Sequence, residues 1–293
     1  MRRLPLVTLA LLALVGLALH LSGRDDGDDD VGVDVTSPVA TQVPTPAAEG
    51  DEVVTVRTVH DGDSFAVDDQ VDVRMLGINA PEHDECLGRE SRTALKGLIG
   101  DREVGLTRDV SDRDQYARLL RYVVVDGISA NQQMVEQGLA LTTSTEPDIA
   151  HRTELDAAQV RARAAGLGIW SPNACGPAAS TAVRITEAEA DPRGRDEQNL
   201  NGEYVVIVND GSTPVDMTGW KLRDDSTRNR FWFPDGFVLQ PGHQVTVHAG
   251  HGDNSADALY WKRRNPVWDN TRDMALLLDP NGNAVSVMDV RPR

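Results

Sequence analysis

Hydrophobic residues change their spacing from one region of this chain to the next. Leu4 to Leu21 (LPLVTLALLALVGLALHL) is apolar throughout and follows Arg2 and Arg3. Residues 23–51 (GRDDGDDDVGVDVTSPVATQVPTPAAEGD) have neither helical nor strand periodicity. From residue 52, β-branched residues with partial alternation predict strands at VVTVRTV, SFAV, VDVRMLGI, REVGLTRDV and ARLLRYVVV. Three stretches carry the helical period instead. GRESRTALKGLIG brings Ala94, Leu95, Leu98 and Ile99 to helical spacing. SANQQMVEQGL opens on Ser129, a good N-cap, and stops at Gly138. EPDIAHRTELDAAQVRARAAG predicts a third helix, with Pro147 near its start and Gly166 at its end. Together these elements predict a small α+β barrel over residues 52–175.

The small-residue stretch GPAASTA (176–182) reads as a linker, and the pattern after it is all β. YVVIVND, WKLRDD, RFWFP, HQVTVHAG and MALLLD alternate or run apolar. Turn signals at Asn209-Asp210-Gly211, Pro241-Gly242 and Pro280-Asn281-Gly282 separate several of them. Short strands at this spacing predict a β-sandwich over 183–293.

Charge and termini sharpen the picture. The chain has 46 acidic and 29 basic residues, a net charge of -17. Lysine occurs only at 96, 221 and 262, so arginine carries the positive charge. This composition suits a halophilic setting, where salt screens surface repulsion; a GC-rich genome would also replace lysine by arginine. It excludes a generally basic nucleic-acid binder but leaves room for local arginine sites. Arginines before an apolar run make residues 1–22 a signal peptide or an uncleaved membrane anchor. With no Ala-x-Ala site and no lipobox cysteine, the anchor is preferred, the membrane being a partner through this segment. The positive-inside rule then places the rest outside the cytoplasm. Residues 23–51 read as an extended acidic Pro/Thr tether. The two cysteines, Cys86 and Cys175, make one disulfide in an exported chain; in a reducing cytosol they stay free.

Candidate chemistry lies in the barrel region. In VHDGDSFAV, Asp61-Gly62 between two strands is a hairpin signal, and Asp63 follows the turn at once. Arg74 sits on the next strand, which runs into a loop bearing Asn79 and Glu82, and Arg118 opens a later strand. Hard divalent cations take oxygen ligands such as carboxylates and amide carbonyls. Arginine meets phosphate as a bidentate fork. A carboxylate beside a metal positions or deprotonates water. The set therefore suits in-line attack on a phosphodiester. The plainer alternatives are arginines paired with surface acids, a helix-start acid at Glu82, and an Asp61 that only holds the turn.

VHDGDSFAV, VRMLGINAPE, DQYARLLRYVVVDG and NQQMVEQGLA with a closing GLGIW resemble the staphylococcal nuclease family over roughly residues 52–172. The resemblance implies an OB-fold barrel with packed helices that hydrolyses DNA and RNA with Ca2+, leaving 3′-phosphate and 5′-hydroxyl ends. It implies that Asp63, Asn79 and the backbone carbonyl of Ala80 ligate the metal. It assigns Glu82 to water activation, Arg74 and Arg118 to the phosphate, and Tyr116 to the nucleotide pocket. Asn79 replaces a family aspartate, which removes one negative charge from the metal site. LALTTSTEPD lacks the tyrosines that stack on a base in the archetype. A Cys86–Cys175 bridge would tie the Glu82 loop to the end of the barrel domain; two buried free thiols are the alternative.

The second unit resembles the lamin-tail family, through Glu203-Tyr204-Val205, Gly219-Trp220 and Leu276 to Gly282. That resemblance implies an immunoglobulin-like sandwich with a surface- or nucleic-acid-contacting role. The expectation is an extracytoplasmic, Ca2+-dependent endonuclease acting on DNA or RNA. The alternative is a non-catalytic nucleic-acid-binding or adhesion protein.

Overall fold

The predicted strand VVTVRTV forms as two pieces, β1 (Glu52–Thr55) and β2 (Thr58–Val59). Between them Val56 donates its N–H to the Arg102 carbonyl and Arg57 donates to Ala66. The computed structural model describes residues 51–68, 71–143, 146–226, 228–270 and 272–290. The N-terminal segment 1–22 and, except for Asp51, the tether 23–51 lie outside the described residues. No described helix is long and apolar enough to cross a membrane.

The barrel continues with β3 (Ser64–Ala66), β4 (Asp72–Met75), β5 (Ile78–Asn79), α1 (Gly88–Ile99), β6 (Glu103–Thr107) and β7 (Leu119–Val125). Then come β8 (Ile128–Ser129), α2 (Ala130–Glu136), β9 (Leu141–Thr142) and α3 (Arg152–Ala164). The main sheet runs β1-β6-β7-β4-β3-β2. Its two edges are thus the two halves of one short run, so the sheet closes on itself. Closure leaves no exposed ladder and makes an interior that side chains fill. Phe65, Val73, Met75, Leu106 and Val123 fill it, with Leu95 and Ile99 of α1 and Met134 and Val135 of α2 packed against them.

Two helix ends follow the predicted signals. Ser129 accepts the Gln132 N–H as the α2 N-cap. After α3 the chain turns through Gly166 at φ 63°, with Leu167 N–H returning to the Ala162 carbonyl. The start of α3 differs from expectation. It begins at Arg152, not near Pro147, because Asp148 is spent on a loop contact: its carboxylate accepts the Ser111 N–H.

Among the described residues the second unit has ten strands where the pattern predicts five. The predicted runs appear as β11 (Tyr204–Asn209), β13 (Lys221–Arg223), β14 (Arg230–Trp232), β16 (Gln244–His248) and β18 (Asp273–Leu278). The additions are β10 (Val183–Glu189), β12 (Val215–Asp216), β15 (Val238–Leu239), β17 (Ala258–Tyr260) and β19 (Ala284–Val290). They are short, bulged or only half-buried, so alternation is weak in them. Sheets β10-β11-β16-β17 and β14-β13-β18-β19 enclose a core of Trp220, Ile207, Leu222, Val245 and Leu277.

The two units share apolar surface. On β18, Ala275 and Leu277 face the sandwich core, while Met274, Leu276 and Leu278 join Leu141 and Ile169 of the barrel. All six residues of β18 are buried. The 176–182 stretch is not a free tether: Asn283 accepts the Cys175 N–H and donates to the Gly176 carbonyl, and Asp279 accepts the Ala179 N–H.

Candidate active site

Asp63 is positioned by the β2–β3 turn. Asp61 Oδ1 accepts the Asp63 N–H at 3.0 Å and the Ser64 hydroxyl at 2.8 Å, which is the turn-holding role. Gly62 is needed for close approach rather than for positive φ: a Cβ there would collide with Ser91 of α1 and with Ala80. Asp63 is buried, and its Oδ2 accepts the Ala80 N–H at 2.6 Å. Arg74 reaches the same oxygen at 3.2 Å from β4. Burial pushes the Asp63 carboxyl up to about 7, although the Arg74 charge and the Ala80 N–H pull it down.

Arg74 is held from several sides. It donates to the Met75 and Ile78 carbonyls, each at 2.7 Å, and to Asn79 Oδ1 at 2.9 Å. The Asn79 oxygen therefore faces a guanidinium, and its Nδ2 donates to the Asp225 carbonyl of the sandwich at 3.2 Å. Arg118 is clamped by Asp114, which takes its Nε and Nη2 at 2.8 Å. Burial raises the Asp114 carboxyl, but the Arg118 hydrogen bond and two backbone N–H groups outweigh it, and the net shift is downward. Tyr116, in the same turn, is 63% exposed, with the Arg118 guanidinium 5.7 Å from its ring centre.

Glu82 is exposed, in the loop before α1. Its N–H donates to Glu85 Oε2, and its carbonyl accepts the Glu85 N–H. Gly88 lets α1 start against this loop, since a Cβ there would strike the Glu82 carbonyl. The loop is tied down twice more. Cys86 is bonded to Cys175, with Cα atoms 5.8 Å apart. Glu85 pairs with Arg230 of the sandwich at 3.0 Å.

These residues meet. Asp61, Asp63, Arg74, Asn79, Glu82, Tyr116, Arg118 and Arg228 line one cavity of about 260 Å³. Ala80 stands behind it, buried, fixing Asp63. A larger cleft of about 730 Å³ adjoins it between the units, lined by Arg74, Asn79 and Arg118 on one side and Asp225, Arg228 and Trp268 on the other. Sequence reasoning missed Asp114 and Arg228. An Asp four residues before a candidate arginine was the available signal for the first. For the second the signal was MALLL, an apolar run that marks a strand covered on both faces and hence a packed neighbour.

The donor set fits a hard divalent cation. Asp63 is a buried carboxylate whose own arginine does not offset its burial, and Asp61 and Glu82 add carboxylates to the same cavity. Among the described residues no group of three or more His, Cys, Asp or Glu side chains is placed to hold a metal by itself.

Comparison with known proteins agrees with this architecture. Residues 72–172 match the family model described as staphylococcal nuclease homologue, and residues 176–291 match that of the lamin tail domain. An "Uncharacterized endonuclease" of Escherichia coli O157:H7 is 35% identical over 120 residues, 39% of this chain and 73% of that protein. The "Thermonuclease" of Staphylococcus hyicus is 29% identical over 122 residues, 39% of this chain and 72% of that protein. An "Uncharacterized endonuclease" of Haemophilus influenzae is 30% identical over 119 residues, and the chain spans 64% of its length. Sequence, barrel and cavity agree, and this chain belongs to the staphylococcal nuclease homologues, its nuclease-like barrel followed by a lamin tail domain.

Proposed function

We propose that the chain is an extracytoplasmic, Ca2+-dependent endonuclease that hydrolyses phosphodiester bonds of DNA or RNA. The observation that carries this reading is the convergence of Asp63, Arg74, Glu82, Tyr116 and Arg118 on one cavity. Asp63, with Asn79 and the Ala80 carbonyl, would hold the cation, which supplies charge neutralisation at the phosphate. Glu82 orients a water and accepts its proton as the oxygen attacks phosphorus. Arg74 and Arg118 donate to the equatorial oxygens, where negative charge grows. Asp114 and the β4–β5 carbonyls fix those two guanidinium planes beforehand, so little reorganisation accompanies the reaction. The 5′-oxygen departs, leaving a 3′-phosphate.

The competing reading, a non-catalytic binding module, draws on the internal engagement of Arg74 with Asp63 and Asn79. One experiment separates the two. The full chain is incubated with single-stranded DNA and with RNA in salt, with Ca2+ or with chelator, beside Asp63→Asn. The nuclease reading expects Ca2+-dependent cutting with 5′-hydroxyl ends, reduced at least tenfold in Asp63→Asn. Binding without cutting across divalent cations establishes the competing reading.

A further inference from the structure

Arg228 lies on the sandwich loop between β13 and β14, yet it lines the same cavity as Asp63, Glu82 and Arg118. Its guanidinium carbon is 5.4 Å from the centre of the Tyr116 ring, the ring that Arg118 also approaches. The other arginines of the adjoining cleft are engaged. Arg74 is on Asp63, Arg118 on Asp114, Arg272 on Asp156, and Arg263 on the Asn229 amide oxygen. Arg228 is exposed, and among the described residues its guanidinium makes no ion pair and no hydrogen bond. In a chain of net charge -17, this leaves one uncompensated cation at the mouth of the cavity.

The loop that carries it is held in place. Asp224 takes the Ser226 N–H and hydroxyl and the Asn229 amide, and the Asp225 carbonyl takes Asn79 Nδ2 from the barrel. Arg230, two residues on, is paired with Glu85 of the Glu82 loop. A guanidinium resting over an aromatic face keeps its N–H edge free for a phosphate.

We infer that Arg228 is a third phosphate-binding arginine of this site, delivered by the lamin tail domain, gripping a phosphodiester next to the one held by Arg74 and Arg118. This rests on the nuclease reading, and it makes the second domain a wall of the substrate groove.

The test compares the full chain with Arg228→Ala and Arg228→Lys. Cleavage of a single-stranded DNA oligonucleotide gives kcat and KM at several salt concentrations. Binding of the same oligonucleotide is titrated in a Glu82→Gln background, and melting temperatures check folding. Arg228→Ala should raise KM about tenfold with kcat nearly unchanged. The slope of log Kd against log salt should fall by about 0.7, the single-strand increment for one phosphate contact. Arg228→Lys, which keeps the charge, should restore the slope and recover only part of KM. An unchanged KM and slope in Arg228→Ala overturns the inference. So does weaker binding with an unchanged slope, which would make Arg228 a structural prop for Tyr116. If the wild type binds but does not cut, the nuclease reading fails by itself, and the salt slope still decides whether Arg228 holds a phosphate.

Discussion

The barrel and the sandwich cover their strands in different ways. The barrel closes its sheet on itself and lays α1 and α2 against it, so its core is complete within the unit. The sandwich leaves the outer face of β18 apolar, and Leu141 and Ile169 of the barrel pack onto that face beside Ala284 and Val287 of β19. A lamin tail domain joined by a small-residue stretch looks, in one dimension, like an appendage. In three dimensions it shares a core with the nuclease-like unit and brings Arg228, Arg230 and Asp225 to the candidate site.

Ending the chain at residue 182 breaks this comparison most severely. Leu141 and Ile169 lose their cover, at about 1.5–3 kcal/mol for each large side chain. The isolated barrel should melt well below the whole chain and bind a hydrophobic dye. A truncated chain that melts like the parent shows the shared core to be dispensable. Such a deletion is therefore a poor way to ask whether the barrel cuts alone.

Point substitutions sharpen the contrast. Leu276→Ala and Leu277→Ala should each cost about 2–5 kcal/mol, since both side chains are fully buried. Their local signatures should differ. Leu276→Ala should speed amide exchange in β9 and at Ile169, whereas Leu277→Ala should loosen β11 and β16. Identical exchange maps would mean that β18 does not have two separate faces.

The smallest effect concerns pH. Burial, then the neighbouring Asp224 charge, pushes Asp273 up to about 7. Asp225 is raised as well, by burial and by Asp273. Groups whose carboxyls are raised on folding favour the folded chain when protonated. Their contribution is full below about pH 4 and is lost as pH rises through about 7. Asp273→Asn removes the titration; it keeps one carbonyl oxygen for the Met274 and Asp225 N–H groups and gives up the acceptor of the Asp269 N–H. Its stability relative to wild type should be on the order of 1 kcal/mol more favourable at pH 8 than near pH 4, read from urea melts. A gain that does not vary with pH rules out the titration as its cause.

Much of this was legible in the chain. The spacing of Asp63, Arg74, Asn79, Glu82 and Arg118 pointed to one site because each follows a short strand or turn with strong local signals. Ser129 and Gly166 mark helix ends by the same local chemistry. What the sequence did not yield depends on contacts distant along the chain. Gly62 is dictated by Ser91, and Asn79 is bonded to Asp225. The break at Val56–Arg57 comes from closure of the barrel, which no window of alternating residues contains.

The most direct measurement is the single-turnover cleavage rate of single-stranded DNA by the full chain and by Glu82→Gln, with binding measured in parallel. A proton-accepting Glu82 predicts a loss of about 10²–10⁴ in rate with affinity nearly unchanged. A Glu82→Gln chain that cuts within threefold of wild type would contradict the assignment of this cavity as the active site.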